Sequence, residues 1–171
     1  ARFIQRETGR EFLPLPHGAT AVHVAVDQRY AGYLALADEL RVETPATMAA
    51  LHRAGVRTTM MLTGDGEPVA RHIAGQAGID DVRAELLPED KVEAVRAAEQ
   101  QPVMMVGDGV NDAPVLAVAD VGVAMGARGS SAASESADVV ITVDDLARVA
   151  RAVHIGKRTM RVAWQAIGIG L

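Results

Sequence analysis

The sequence contains no cysteine. This absence excludes disulfide frameworks, thiolate metal sites and cysteine nucleophiles together. Aromatic residues contribute only 3% of the chain, whereas hydrophobic residues contribute 49% and charged residues 23%. This is ordinary globular usage, and it argues against a largely disordered chain. A length of 171 residues is enough for one main domain.

An excess of positive charge is also lacking. The formal net charge is −5, which gives no sign of a surface that binds a phosphate backbone, so we predict no nucleic-acid partner.

Long apolar runs are scarce, and the final segment, RVAWQAIGIGL, is shorter than the roughly 20 residues that a membrane span needs. Its first residue, Arg161, completes a basic group with Lys157 and Arg158, so we predict that a membrane helix begins here on the cytoplasmic side. Because the chain begins with Ala1 and this apolar segment stops short, we expect it to be part of a longer protein.

Strand and helix patterns alternate along most of the chain. The runs ATAVHVAVD and YAGYLALAD predict a hairpin. Next, ETPATMAALHRAG predicts a helix capped by Thr44, with Pro45 in the first helical position and Gly55 after its end. Further strands are predicted at VRTTMML, DVRAE, PVMMV, VGVAM and DVVITV, with helices between them. This order favours a parallel sheet with helices on both faces.

Polar turns follow two of the predicted parallel strands, where ligands bind in such sheets. In VGDGVNDAP, Asp108 is a candidate Mg²⁺ ligand, Asp112 supports it, and Asn111 can donate to a phosphoryl oxygen. The alternative is an Asp-Gly turn with a helix cap. In LTGD, Thr63 offers a hydroxyl, and the backbone amides of Gly64 and Asp65 form a concavity suited to phosphate. The alternative is an ordinary helix N-cap loop.

Lys91 lies in the first turn of a predicted helix, where the helix dipole disfavours a cation. A nearby anion would account for this position, and the alternative is a solvated surface lysine. Together, the hydroxyl, the ammonium group and the carboxylates are the components of phosphoryl transfer. One component is missing, because no Asp in a strand-end motif can serve as the nucleophile ahead of them.

The segments LTGD, LPEDK and GDGVNDAPVLAVADVGVAMG, in this order, resemble those of the cation-pumping P-type ATPases of the haloacid-dehalogenase superfamily. SAASESADVVI and DDL also resemble that family, and HIGKRTM is most similar to its heavy-metal-transporting subclass. The resemblance covers roughly residues 18–165. It implies that Mg²⁺ and ATP are the cofactors of the parent protein.

The resemblance also implies individual roles. Thr63, Gly64, Asp65 and Lys91 would be catalytic, with Asn111 also binding phosphate and with Asp108 and Asp112 holding Mg²⁺. Asp38 and Arg41 match the family's hinge motif, although a salt-bridged surface turn explains them equally well. The chain departs from the family in lacking the DKTGT segment with the phosphorylated Asp, the adenine-binding part, the actuator domain and the transport helices.

We therefore expect an α/β fold, a Rossmann-like parallel sheet with helices on both faces, haloacid-dehalogenase-like and incomplete for lack of the nucleophile strand. Residues 1–36 would end a nucleotide-binding domain, residues 37–155 would form a phosphorylation domain, and residues 156–171 would begin a transmembrane helix. The expected partners are the remainder of a multi-pass membrane pump, the membrane, and a transported cation bound elsewhere. The chain alone would be inactive.

Two alternatives stay open. One is a soluble phosphatase of the same superfamily, which would need its own nucleophilic Asp. The other is a truncated, non-catalytic module that binds Mg²⁺ and phosphate or associates with a full pump.

Overall fold

The structure, a computed structural model, describes residues 4, 6, 9, 19–27, 29–37, 40–107, 110–126 and 132–170. Strands and helices alternate as predicted. In chain order they are β1 Ala19–Val26, β2 Arg29–Ala37, α1 Thr44–Arg53, β3 Met60–Leu62, α2 Glu67–Ala77, β4 Asp81–Arg83, α3 Pro88–Arg96, β5 Met104–Gly107, α4 Ala113–Val118, β6 Val121–Met125, α5 Ala132–Ser136, β7 Val139–Ile141 and α6 Ala147–Gly170. A short 3₁₀ turn, Val110–Asp112, precedes α4.

The first two strands form the predicted hairpin. β1 and β2 pair antiparallel, with Val26 opposite Arg29 at the turn and a shift of register between Val24 and Ala25. Apolar side chains such as Val26 and Leu34 remain exposed. Within the described part of the chain, these strands pair only with each other.

The remaining strands are parallel, as the alternation with helices predicts, but they form two sheets. β3 pairs with β4, and β6 pairs with β5 on one side and β7 on the other. Leu62 of β3 and Val106 of β5 line one cavity of about 310 Å³ between the two sheets. The incomplete parallel sheet is therefore observed as two parts that face each other across a cavity, with no described strand bridging them.

Helices cover both faces of the three-stranded sheet. On one face, Val123 and Met125 of β6 pack with Leu51 of α1 and Val149 of α6. On the other face, Ala124 packs with Leu116 of α4 and Ala133 of α5. Successive side chains of a strand point to opposite faces, which explains why neighbouring residues of β6 belong to different clusters. Helices on both faces were predicted, and this arrangement confirms them.

The start of α1 differs from the prediction. Thr44 is the first helical residue rather than the cap, and the cap is Glu43, which makes no side-chain capping bond. The chain is already turning here, because the Thr44 amide donates to the Arg41 carbonyl at 2.9 Å, and the Thr44 side chain is buried. The end agrees with the prediction: α1 stops before Gly55, which has a φ of 90°.

Helix α6 runs without a break across residues 155 and 156, where the domain boundary was predicted. Among the described residues, no helix has both the length and the apolar character required to cross a bilayer. The transmembrane start at 156–171 stays a prediction.

Asp80, just before β4, is hydrogen-bonded to Thr59, just before β3. Its Oδ2 accepts hydrogen bonds from the backbone amide of Thr59 at 2.7 Å and from the Thr59 hydroxyl at 2.8 Å. These two bonds, and to a smaller extent His52, lower the pKa of the Asp80 carboxyl below 3.8 against the opposing effect of burial.

We predict that Asp80→Asn lowers the free energy of unfolding at neutral pH. A carboxyl with a lowered folded pKa stabilises the fold above its unfolded pKa, and this contribution is lost as the pH falls through the folded pKa. The difference in the free energy of unfolding between the wild type and Asp80→Asn should therefore narrow below pH 3.8. Urea unfolding at several pH values measures this difference. A difference that does not change with pH would contradict a stabilising role for the negative charge of Asp80.

Gly122 is required by a close approach inside the sheet. A Cβ at this position would lie 2.6 Å from the Leu116 carbonyl oxygen, whereas a Cβ at Gly75 of α2 would meet nothing within 4 Å. We predict that Gly122→Ala destabilises the chain by about 1–3 kcal/mol, because a backbone atom must move. Gly75→Ala, the matched control, should stabilise it by about 0.5–1 kcal/mol through helix propensity. Thermal unfolding of the two variants distinguishes these effects, and equal melting temperatures would show that the contact is unimportant.

Candidate functional site

Lys91 and Asp112 form a partly buried ion pair. The Lys91 Nζ donates to Asp112 Oδ1 at 3.0 Å, and the two side chains are only 20% and 13% exposed. Lys91 lies in the first turn of α3, and Asp112 ends the 3₁₀ turn after β5. The anion expected beside Lys91 is therefore Asp112. The pair joins a helix that follows one sheet to a turn that follows the other.

Gly107, the last residue of β5, makes room for Asp112. A Cβ on Gly107 would lie 2.8 Å from Asp112 Cβ and 2.9 Å from its Oδ2. No side chain fits at that distance, so the Asp112 carboxylate can fold back onto the end of the strand only because residue 107 is glycine. The glycine before Asp108 thus has a steric role that the sequence pattern alone did not reveal.

The LTGD turn is held by hydrogen bonds within itself. The Thr63 hydroxyl donates to Asp65 Oδ2 at 2.7 Å, and the Asp65 amide donates back to Thr63 Oγ1 at 3.1 Å. Gly64 is exposed, and a Cβ there would lie 3.4 Å from the Leu86 carbonyl oxygen. The Asp65 amide therefore orients the Thr63 hydroxyl, whose single proton is donated to the Asp65 carboxylate and must turn away from it before it can be donated to phosphate. Gly64 leaves the adjacent backbone accessible.

A second loop supports this turn, and sequence reasoning missed it. The Glu85 amide donates to the Asp65 carbonyl at 2.9 Å, and the Leu86 amide donates to the Thr63 carbonyl at 3.0 Å. Glu85 adopts a left-handed conformation with a φ of 57°. Glutamate has no preference for positive φ, so no sequence signal marks this position.

Arg41 reaches the same cavity as the ion pair. The cavity of about 310 Å³ is lined by Arg41, Lys91 and Asp112 together with mostly apolar residues, Leu62, Met105, Val106, Gly107, Met125 and Leu146. Arg41 also forms an ion pair with Asp144, and Glu43 Oε1 accepts a hydrogen bond from the Leu146 amide at 3.4 Å. Arg41, the predicted hinge residue, is thus ion-paired with the loop before α6. Sequence reasoning did not identify Asp144 as its partner.

Two predicted site residues, Asp38 and Asp108, lie outside the described residues. Asn111 is described and exposed. Within the described ranges, no group of three or more His, Asp or Glu side chains forms a metal-binding cluster. Asp112 supplies one carboxylate and Asn111 one amide oxygen, and Mg²⁺ usually takes only one or two carboxylates, with water and phosphate oxygens completing its coordination. Asp112 and Asn111 thus offer the kind of oxygen donor that Mg²⁺ prefers. The role of Asp108 as a Mg²⁺ ligand stays a prediction.

The arrangement is suited to binding a compact anion. Lys91 presents a cation beside an apolar wall, and charge interactions are stronger where water is partly excluded. Asp112 fixes the position of the ammonium group, so little reorganisation is needed when an anion binds. The Thr63 hydroxyl and the amides of LTGD lie directly after Leu62, which lines the same cavity.

Comparison with known proteins agrees with this chemistry. A family model described as haloacid dehalogenase-like hydrolase matches residues 2–120, and a second model of the same description matches residues 91–153. The chain is 48% identical over 166 residues to a cadmium, zinc and cobalt-transporting ATPase of Bacillus subtilis, covering 94% of the chain and 24% of that protein. It is 47% identical over 156 residues to a zinc-transporting ATPase of Synechocystis, covering 89% of the chain and 22% of that protein.

Solved structures give the same result. A crystal structure of a zinc-transporting PIB-type ATPase matches with a TM-score of 0.63 and 39% identity, over 84% of this chain and 24% of that one. The catalytic domain of the CPx-ATPase CopB-B matches with a TM-score of 0.60 and 27% identity, over 71% of this chain and 47% of that one. The chain thus spans about a quarter of the length of the Bacillus subtilis and Synechocystis relatives. These matches confirm the resemblance to heavy-metal P-type ATPases, and the family model over residues 2–120 shows that the chain belongs to the haloacid dehalogenase-like hydrolases.

Proposed function

We propose that the chain is part of an ATP-driven heavy-metal cation transporter and forms the binding site for the phosphoryl group and Mg²⁺ of an aspartyl-phosphate intermediate. The observation that carries this proposal is the Lys91–Asp112 ion pair, which faces a cavity between two parallel sheets. A cation held beside an apolar wall at this position is suited to stabilise the negative charge of a transferring phosphoryl group.

The transported ion is proposed from the relatives. One relative is named as a cadmium, zinc and cobalt transporter and another as a zinc transporter. Since these proteins are nearly half identical to the chain, a divalent heavy-metal cation is the proposed cargo, bound outside these residues.

The acceptor Asp is proposed to lie on a strand outside this chain that fills the cavity between β3 and β5. Support comes from Leu62 and Val106, which line that cavity from opposite sheets. A parallel strand placed there would pair with both neighbours and direct its carboxyl end toward Lys91. Without that Asp, the isolated chain should not hydrolyse ATP, so the enzymatic activity belongs to the parent protein.

Individual roles follow from this placement. Thr63, Gly64 and Lys91 would bind the phosphoryl oxygens, and Asp65 would orient Thr63. Asn111 would donate to a further oxygen. Mg²⁺, held by Asp108 and Asp112, would neutralise part of the phosphoryl charge. ATP would be the phosphoryl donor, bound mainly by other parts of the parent.

The proposed organisation keeps the predicted boundaries. Residues 1–36 would complete a nucleotide-binding domain, residues 37–155 would form the phosphorylation domain, and residues 156–171 would begin a transmembrane helix. Arg41, paired with Asp144, would act with Asp38 as the hinge between the first two. The parent would be a multi-pass membrane protein with this portion on the cytoplasmic side.

The intact mass of the native product tests the proposal. It would be isolated separately from membranes and cytosol and detected through the peptide GDGVNDAP. A membrane species several times larger than 18.0 kDa, whose ATP hydrolysis zinc or cadmium stimulates, is expected. A cytosolic 18.0 kDa species with its own Mg²⁺-dependent phosphatase activity would favour the soluble phosphatase instead. Such a species bound stably to a full-length pump would favour the interaction module.

We predict that Lys91→Ala in the parent protein lowers phosphoenzyme formation from ATP by about 10²–10³-fold, the usual effect of losing one stabilising group. Arg96→Ala is the matched control, because Arg96 lies on the same helix, is 61% exposed and pairs only with Glu93 among the described residues. Arg96→Ala should keep the rate of phosphoenzyme formation within about twofold of the wild-type rate, as expected for the loss of an exposed ion pair. Equal rates for the two variants would exclude Lys91 from the reaction.

We predict that Gly107→Ala also lowers phosphoenzyme formation, because the added methyl group overlaps Asp112 and must displace it from Lys91. Raising the Mg²⁺ concentration should recover part of the rate if Asp112 supports the metal. Gly75→Ala, which adds the same group in open space, should behave as wild type. A Gly107→Ala protein with normal Mg²⁺ dependence and normal rate would contradict this role for Asp112.

A further inference from the structure

The cavity of about 310 Å³ between the two sheets carries an excess of positive charge. Among the described residues that line it, Arg41 and Lys91 are cationic, and Asp112 alone is acidic. Lys91 is committed to Asp112, because its Nζ lies 3.0 Å from Asp112 Oδ1 and both side chains are largely shielded from solvent. Arg41 therefore supplies positive charge that no described carboxylate of the lining balances.

This cavity lies at the edge of the sheets where the parallel strands end. Leu62, Gly107 and Met125, which line it, are the last residues of β3, β5 and β6. In parallel α/β sheets, ligands bind outside the carboxyl ends of the strands. Arg41 thus borders the ligand-binding edge, on which the proposed acceptor Asp and its phosphoryl group would lie.

The backbone of Arg41 is held in place by the start of α1. Its carbonyl oxygen accepts a hydrogen bond of 2.9 Å from the Thr44 amide, and the Thr44 side chain is buried. Glu43, in the same turn, accepts a hydrogen bond from the Leu146 amide at 3.4 Å. A contact between the Arg41 side chain and an anion would therefore need little ordering of the backbone.

The ion pair between Arg41 and Asp144 is largely exposed to water. The Asp144 side chain is 65% exposed, whereas that of Asp112 is only 13% exposed. Exposed ion pairs contribute little free energy, because water solvates both partners well when they separate. Separating Lys91 from Asp112 costs more, because each charge would then remain partly buried without its partner. Of the two cations that line the cavity, Arg41 is thus the one that can exchange its carboxylate for another anion.

The guanidinium group of Arg41 has donors to spare. Its Nη1 donates to Asp144 Oδ1, and within the described part of the chain no residue accepts a hydrogen bond from its Nε or Nη2. A guanidinium carries its donors in a planar fork that can contact more than one phosphoryl oxygen at once. A phosphoryl group therefore suits Arg41 better than the single carboxylate oxygen that it contacts in this structure.

We propose that Arg41 is a further cationic contact for the phosphoryl group, in addition to Lys91, and that Asp144 is a positioning residue that holds Arg41 when the group is absent. Binding exchanges the Arg41–Asp144 ion pair for contacts between the guanidinium and phosphoryl oxygens, and no covalent bond forms or breaks in this exchange. The inference rests on the proposed function, because that function places the phosphoryl group in this cavity.

The test measures equilibrium binding of radiolabelled inorganic phosphate to the parent protein at constant Mg²⁺ concentration and ionic strength. Inorganic phosphate presents the same kind of oxygen as the transferring group, and binding needs no turnover, so inactive variants can be compared. Arg41→Gln should raise the dissociation constant for phosphate about tenfold, the usual effect of losing a charge-assisted hydrogen bond. Equal dissociation constants for Arg41→Gln and the wild type would overturn the proposal.

Arg148→Gln is the matched control for Arg41→Gln. Arg148 is 49% exposed and pairs with Asp145, the neighbour of Asp144 in the chain, and neither Arg148 nor Asp145 is among the described residues that line the cavity. Arg148→Gln should leave the dissociation constant for phosphate within about twofold of the wild-type value. An increase as large as that in Arg41→Gln would overturn the proposal, because any nearby positive charge would then have the same effect.

Asp144→Asn distinguishes competition for Arg41 from a purely structural role of the pair. Removing the competing charge should lower the dissociation constant for phosphate by about two- to fivefold, the opposite direction to Arg41→Gln. Arg41→Gln/Asp144→Asn should match Arg41→Gln, because Asp144 acts only through Arg41. Weaker binding in both single variants would overturn the proposal. So would an undiminished effect of Asp144→Asn in the Arg41→Gln background, since the charge would then act at long range.

Lys91→Ala in the same assay separates this inference from the proposed function. Weaker phosphate binding in Lys91→Ala together with unchanged binding in Arg41→Gln would overturn the inference and leave the proposed function standing. Unchanged binding in both variants would overturn both. Circular dichroism and thermal unfolding verify that each variant is folded, so that a loss of binding is not a loss of the structure.

Discussion

The contact between Gly107, Asp112 and Lys91 is the constraint on which the site depends. The missing Cβ of Gly107 lets Asp112 fold back onto the end of β5, and the carboxylate then holds the Lys91 ammonium at 3.0 Å. Because Lys91 belongs to the helix after β4 and Asp112 to the turn after β5, this one ion pair connects the two sheets. Breaking a partly buried pair leaves a charge without its partner, so its geometry is strongly preferred.

Much of this arrangement could be predicted from the sequence. Alternating apolar runs and capping signals gave the order of strands and helices. The position of Lys91 at a helix start indicated a nearby anion, and in the structure its neighbour is Asp112. The pattern did not reveal the left-handed Glu85 or the pairing of Arg41 with Asp144. Both depend on segments far apart in sequence or on a conformation that the residue type does not favour. Thr44 was misplaced by one residue because turning of the backbone begins before it.

The two faces of the three-stranded sheet are filled in different ways. One face buries larger side chains, such as Leu51 and Met125, beneath α1 and α6, whereas the other packs Ala124 closely beneath α4 and α5. Gly122 lets the Leu116 backbone approach the strand directly. Close backbone packing therefore positions α4 and the 3₁₀ turn before it, while the bulkier face fixes α6 to the sheet.

The hydrogen bond from Lys157 to the Ala54 carbonyl attaches α6 to the C-terminal end of α1 at a defined point. The helix extends about 20 Å beyond Lys157, at about 1.5 Å per residue, whereas its buried portion is short. A rotation of α1 by about 10° would therefore displace the far end of α6 by about 3–4 Å. Small rearrangements on the sheet would thus become larger displacements along the described, exposed part of α6.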